Sequence, residues 1–233
     1  VIAMNKNGLP HLKIKGGVDL KAIDYKLPMA SAQVKSCILL AGLYAKGQTS
    51  TIESVATRDH TERMLAGFGY HVDRKEFSAS LRGKGELKST IVNVPADISS
   101  AAFLIVGALI SQSEELEICG VGMNPSRIGI LSVLRDMGAR IEIKNAREES
   151  GEPIADLIVL PSKLSGVILD GYIIPNIIDE IPILSIAAAF AEGETIIRDA
   201  AELRVKESDR LKAISDGLLN LGVSHINFDD GIQ

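Results

Sequence analysis

The chain repeats one pattern three times, and this limits its fold more than any single motif does. Each copy reads as an apolar helix, a short strand, a loop, an amphipathic helix, a glycine and a further strand. The first copy starts at Ser31, with helices over residues 33–45 and 61–67, a strand over 50–55, and Gly69 before a strand over 70–72. The second starts at Asp97, with helices over 101–110 and 127–137, a strand over 116–119, and Gly138 before a strand over 139–141. The third starts at Asp179, with helices over 183–191 and 210–221, a strand over 196–198, and Gly222 before a strand over 223–225. The register agrees between copies: Gln33 lies fourteen residues before Gly47 and Asp179 fourteen before Gly193. Likewise Arg58 lies eleven before Gly69 and Arg127 eleven before Gly138. The closing glycines fit helix C-terminal caps, and Asp59 with Glu62 has capping-box spacing. The first helix of each copy is apolar nearly all round, so it is expected to be buried under the strands and second helices. The expectation is an α/β fold of βαβ-type units with mixed sheets.

A junction is expected where an extended stretch, Leu87 to Val94, runs into Pro95-Ala96-Asp97. Residues 1–94 then hold one repeat and a leading hairpin, and residues 95–233 hold two repeats. Apolar residues make up 46% and charged residues 24% of the chain, ordinary for a globular protein. The formal net charge of −5 carries no basic footprint for nucleic acid. No apolar run reaches the length of a membrane span, the longest being residues 101–110. Cys37 and Cys119 read as reduced core thiols of a cytoplasmic protein. The four histidines, His11, His60, His71 and His225, show no metal spacing, and no phosphate-loop or dinucleotide fingerprint occurs. The chain opens as if within a strand, at Val1-Ile2-Ala3-Met4, and reads as a piece of a longer protein.

Three segments hold residues suited to chemistry. From Glu202 to Arg210, six of nine residues are charged, and the apolar stripe Leu211, Ile214, Leu218 follows. Counting back four from Leu211 places Glu207 at the head of that stripe, beside Lys206 and Arg210. A carboxylate held between cations suits an anionic substrate and acid–base work, although a solvated charge run at a helix start explains the pattern equally well. Ser31 and Gln33 stand at the mouth of a buried helix, and Arg58 stands just before the Asp59 cap of the same repeat; serine, amide and guanidinium suit a phosphate or polyol. Ser99 and Ser100 read as plain caps. Asp179 lies among Ile177, Ile178 and Ile181 with Pro182 following, so either it or Glu180 caps the next helix. In so apolar a setting Asp179 could also serve as a base.

Taken together, the runs Leu27-Pro28-Met29-Ala30-Ser31-Ala32-Gln33-Val34-Lys35-Ser36, Thr57-Arg58-Asp59-His60-Thr61-Glu62 and Leu203-Arg204-Val205-Lys206-Glu207-Ser208-Asp209-Arg210 resemble the 5-enolpyruvylshikimate-3-phosphate synthase family, in its class II form. The resemblance covers essentially the whole chain. It implies a two-domain enolpyruvyl transferase fold of repeated βαβαββ units with buried helices, resembling an inside-out α/β barrel. Residues 1–94 would be part of the upper domain, and residues 95–233 part of the lower one, with two of its three repeats. It also implies transfer of the enolpyruvyl group of phosphoenolpyruvate to the 5-hydroxyl of shikimate 3-phosphate, in aromatic amino-acid biosynthesis.

By that resemblance Ser31, Ala32 (through its backbone), Gln33 and Arg58 bind shikimate 3-phosphate, and Lys206 holds its hydroxyls. Asp179 contacts the attacking hydroxyl as a base, Glu207 moves a proton at the phosphoenolpyruvate methylene, and Arg210 grips phosphoenolpyruvate. No metal or organic cofactor is implied. Glyphosate is implied as an inhibitor, with no nucleic-acid or membrane partner, and the full-length protein as a monomer. The family's N-terminal lysine–serine–arginine motif, its Gly-Asn-(Ala/Ser)-Gly-Thr loop and its C-terminal arginine and lysine are absent from these 233 residues. By the resemblance the chain is expected to be an internal piece, and inactive alone. Two other readings stand beside this one: a piece that binds shikimate 3-phosphate without turnover, and a UDP-N-acetylglucosamine enolpyruvyl transferase, which lacks the Arg-Val-Lys-Glu-Ser-Asp-Arg run.

Overall fold

The computed structural model describes residues 2–3, 12–111 and 114–233. His11 lies outside them. The chain divides into two compact units, Val1–Thr90 and Ile91–Gln233.

In unit 1, β1 (Ile2–Ala3) pairs antiparallel with β2 (Leu12–Lys13). There follow β3 (Asp24–Lys26), α1 (Ala32–Gly42), β4 (Gln48–Ile52), α2 (His60–Gly67), β5 (Val72–Lys75) and β6 (Ser78–Arg82). The sheet runs β3-β4-β6-β5, with β3 and β4 parallel and the other pairs antiparallel. Its apolar core is small: Leu39, Leu65, Tyr70, Ala79 and Leu81, with Leu43 and Val72 packed on it.

Unit 2 carries the pattern twice more. The first copy runs α3 (Ile98–Ile110), β7 (Leu116–Gly122), α4 (Gly129–Asp136), β8 (Arg140–Glu149) and β9 (Glu152–Leu160). The second runs β10 (Ile168–Leu169), a 3-10 turn at Gly171–Ile173, α5 (Ile174–Ile177), α6 (Ile181–Ala189), β11 (Ile196–Ile197), a 3-10 turn at Ala201–Val205, α7 (Arg210–Asn220), β12 (Asn227–Phe228) and β13 (Gly231–Ile232). The sheet β10-β11-β13-β12 has the order and sense of the unit 1 sheet. In the middle copy the sheet is β7-β9-β8, and a single parallel bridge, Ala96 to Val121, replaces the leading strand. Each copy is therefore a βαβαββ unit, more complete than the sequence pattern. Gly69, Gly138 and Gly222 all have positive φ (73°, 97° and 77°), as residues closing a helix in the left-handed region do.

Several expectations are corrected. Val223, Ser224 and His225 form no strand; backbone pairing begins at Ile226, bonded to Gln233 in both directions, and β12 starts at Asn227. Leu87 to Val94 forms no strand and belongs to no sheet, because alternation alone does not supply a partner strand. Cys37 and Cys119 are exposed free thiols rather than core residues. The inward stripe of α1 is Lys35, Leu39 and Gly42, which turns Cys37 to the opposite face. The first helices are only half covered: Leu40 on α1 is exposed, as are Phe103 and Leu104 on α3. No single helix among the described residues is long and apolar enough to cross a membrane.

Candidate functional site

In unit 1 the site residues stand at the start of α1 and in the loop after β4. Ser31 is the N-cap, in extended conformation, and its hydroxyl accepts from Val34 N at 3.3 Å. Ala32 and Gln33 then occupy the first two helical positions, where backbone N–H groups have no intrahelical acceptor and the helix dipole favours an anion. Gln33 is exposed; Arg58 is half-buried in the loop leading to α2. Helix and loop are joined through a residue that sequence reasoning passed over. Lys35, one turn into α1, is 4% exposed, and its ammonium meets Glu53 at 2.8 Å, Glu62 at 2.9 Å and the Thr57 carbonyl at 3.4 Å. Glu62 is therefore no member of a capping box. Asp59 does hold the N-cap position of α2, but its carboxylate accepts from Arg63 Nε at 2.8 Å and makes no cap bond.

In unit 2 three of the four site residues meet at one guanidinium. Arg210, the first residue of α7, donates through Nη1 to Asp179 at 3.2 Å and through Nε to Glu207 at 2.9 Å. Glu207 is not on the α7 stripe. The helix is capped by Asp209, which accepts from Lys212 N at 2.9 Å, so Glu207 lies outside it with its side chain 68% exposed. Its own backbone N–H and then Arg210 hold its carboxyl below the usual range against desolvation, with the charge of Lys206 adding least. Lys206 itself is turned to Glu202 in an ion pair. Asp179 is half-buried beside Arg210 rather than enclosed by its isoleucine neighbours. Glu180 takes the N-cap position of α6, with Pro182 in the first turn, but its buried carboxylate accepts from Ser99 rather than capping.

Ser99 is thus no simple cap either. Asp97 caps α3 by accepting from Ser100 N at 3.0 Å, and Arg127 donates to both Asp97 Oδ1 (2.9 Å) and Ser99 Oγ (2.7 Å). Burial pushes the Asp97 carboxyl up, but the Ser100 hydrogen bonds and the Arg127 charge outweigh it and leave it below the usual range. Arg127 stands to Gly138 as Arg58 stands to Gly69. In both copies of unit 2 the arginine entering the second helix faces a carboxylate at the first helix's start, Asp97 or Asp179. In unit 1 the corresponding cap is the neutral Ser31.

One group of metal-ligand type occurs among the described residues, Glu117, Cys119 and Asp156 on the β7–β9 face. Asp156 is already engaged by Gly120 N at 2.7 Å and Asn145 Nδ2 at 2.8 Å, so its oxygens act as structural acceptors.

The chain matches the family model for EPSP synthase (3-phosphoshikimate 1-carboxyvinyltransferase) over residues 1–233. It is 51% identical to the 3-phosphoshikimate 1-carboxyvinyltransferase of Alkalilimnicola ehrlichii over 233 residues, covering 100% of this chain and 52% of that protein. The protein of that name from Methylococcus capsulatus is 52% identical over 225 residues, 97% of this chain and 52% of its own length. The chain therefore spans about half the length of the curated relatives it matches. A solved EPSP synthase from Acinetobacter baumannii superposes with a TM-score of 0.89 at 50% identity, over 99% of this chain and 52% of that one. NikO, an enolpyruvyl transferase from Streptomyces tendae, shares the fold alone, at TM-score 0.56 and 20% identity over 70% of this chain and 38% of its own. With three βαβαββ copies and a family match along its whole length, this chain belongs to the EPSP synthase (3-phosphoshikimate 1-carboxyvinyltransferase) family.

Proposed function

We propose that the protein transfers the enolpyruvyl group of phosphoenolpyruvate to the 5-hydroxyl of shikimate 3-phosphate, releasing phosphate. Ser31, the Ala32 backbone, Gln33 and Arg58 bind shikimate 3-phosphate; Lys206 holds its hydroxyls; Arg210 grips phosphoenolpyruvate. In the addition step Asp179 accepts the hydroxyl proton, the hydroxyl oxygen bonds to the enol carbon, and Glu207 delivers a proton to the methylene. In the elimination step Glu207 takes a proton back from the new methyl group, the double bond re-forms, and phosphate leaves. Units 1 and 2 are, on this reading, parts of the upper and lower domains. The reading extends to a monomeric full-length protein, to glyphosate as an inhibitor, and to a cytoplasmic setting that suits the free thiols of Cys37 and Cys119.

The observation that carries this reading is the Arg210 guanidinium shared between Asp179 and Glu207. An anion arriving at Arg210 competes with both carboxylates. Released from the cation, Glu207 regains proton affinity and can act as an acid. Glu207 thus becomes available when the anionic substrate is present. Lys206 and Arg210 offset the charge that builds up as addition proceeds.

The test is calorimetric titration of both ligands into the protein at its natural full length, with phosphate release as the activity assay. Arg58→Ala is expected to weaken shikimate 3-phosphate by about 1.5–3 kcal/mol, the worth of a hydrogen bond to a charged group. Phosphoenolpyruvate affinity should hold. Equal losses for the two ligands, or none, would remove Arg58 from the site.

A further inference from the structure

We propose that the buried cluster of Lys35, Glu53 and Glu62 is a positioning device. It fixes the Thr57–Arg58 peptide against the first turn of α1 and so sets the affinity of unit 1 for its phosphorylated ligand. The proposal rests on the reading of Ser31, Gln33 and Arg58 as ligand-binding residues. All three members of the cluster are buried, at 4%, 6% and 3% exposure. An ammonium has three hydrogens to donate, and here each has its own acceptor: Glu53 Oε1, Glu62 Oε1 and the Thr57 carbonyl. Glu53 in turn accepts from Thr57 N at 2.8 Å and from Thr57 Oγ1 at 2.9 Å. Residue 57 is therefore gripped at its N–H and hydroxyl by Glu53 and at its carbonyl by Lys35. Arg58 begins at the next bond. On the other side, Lys35 N donates to the Ser31 carbonyl at 3.0 Å, so the residue that clamps the loop also closes the first turn carrying Ser31, Ala32 and Gln33. A second tie, Ser36 Oγ to Thr61 Oγ1 at 2.7 Å, joins the same two elements.

Stability alone is a poor explanation for this arrangement. Buried ions lose much hydration, and apolar replacements of similar volume often stabilise as well or better. Here two carboxylates face one ammonium, and Glu62 Oε2 is buried with no donor. The cluster does provide directional bonds at one peptide, which the small apolar core of unit 1 cannot supply.

The experiment is a double-mutant cycle in the full-length protein, read by titration with shikimate 3-phosphate and with phosphoenolpyruvate. Glu53→Gln replaces an acceptor facing Thr57 with a donor. It is expected to weaken shikimate 3-phosphate by about tenfold, as coupled neighbours do, and to leave phosphoenolpyruvate affinity unchanged. In an Arg58→Ala background it should cost almost nothing further, because it acts through Arg58. A loss that adds in full to that of Arg58→Ala, or no loss in a folded protein, overturns the proposal. If Arg58→Ala alone is without effect, the reading of Arg58 as a ligand-binding residue fails, and the proposal with it. Should Glu53→Gln not fold, Thr57→Val removes only the hydroxyl bonded to Glu53, and the same cycle decides.

Discussion

Glu207 illustrates what a residue's neighbours decide that its spacing does not. Periodicity counted it onto the inward stripe of α7, but the helix begins only after the Asp209 cap, and Glu207 stands exposed in front of it. A stripe of apolar residues gives the phase of a helix, not its first residue, and the cap was one of several candidates in a run of six charges. Lys35 was missed for the opposite reason. A lysine in a helix reads as surface, and only its place on the Lys35, Leu39, Gly42 stripe signalled burial. The types of residue at the site, by contrast, were readable, since cations and carboxylates follow from the anionic chemistry. Glu207→Gln keeps the shape of the side chain and removes its proton transfer. It should lower kcat by roughly 10²–10⁴-fold, with substrate affinity little changed. Steady-state kinetics of the full-length protein check this, and a kcat within about threefold of the parent would exclude a proton-transfer role, for which losses start near a hundredfold.

At the scale of elements, the three helix–strand–helix copies and their closing glycines were readable, because each depends on local pattern. The leading strand of each copy was not, because β3 and β10 are two or three residues long and exist only through their parallel partners. The same holds for the start of α3. Ser99 and Ser100 both looked like caps, and tertiary pairing with Arg127 and Glu180 assigned the cap to Asp97 instead. Asp97→Ala removes that cap and should cost about 1 kcal/mol, a few degrees in melting temperature. The sign of its pH dependence follows from the lowered pKa. A carboxyl depressed in the folded state contributes stability above its unfolded pKa and loses it as pH falls through the folded value. The gap between parent and Asp97→Ala should therefore be full near neutrality and close in acid, below the ordinary aspartate range. Thermal melts at a series of pH values measure it; a gap that widens in acid would contradict the cap.

For the whole molecule, half the length of its relatives is a strong constraint on what 233 residues can do. Unit 1 has few fully buried apolar residues, and large side chains stand exposed on both units: Leu40 and Tyr44 on or beside α1, Phe103 and Leu104 on α3. Exposed apolar side chains of this size invite association. Expressed alone, the 233-residue chain is expected to be poorly soluble and to show no shikimate-3-phosphate-dependent release of phosphate from phosphoenolpyruvate. Sedimentation and a phosphate-release assay check both, and a soluble, active chain would show that the residues named above suffice. A different property follows from Lys35. In acylation and carbamylation the side-chain nitrogen attacks the reagent, which needs an open approach. Lys35, 4% exposed and in contact with two carboxylates and a carbonyl, offers no open approach. Its reaction would then wait for unit 1 to open, so that slow labelling at this one nitrogen would serve as an internal clock for the breathing of the loop that carries Arg58.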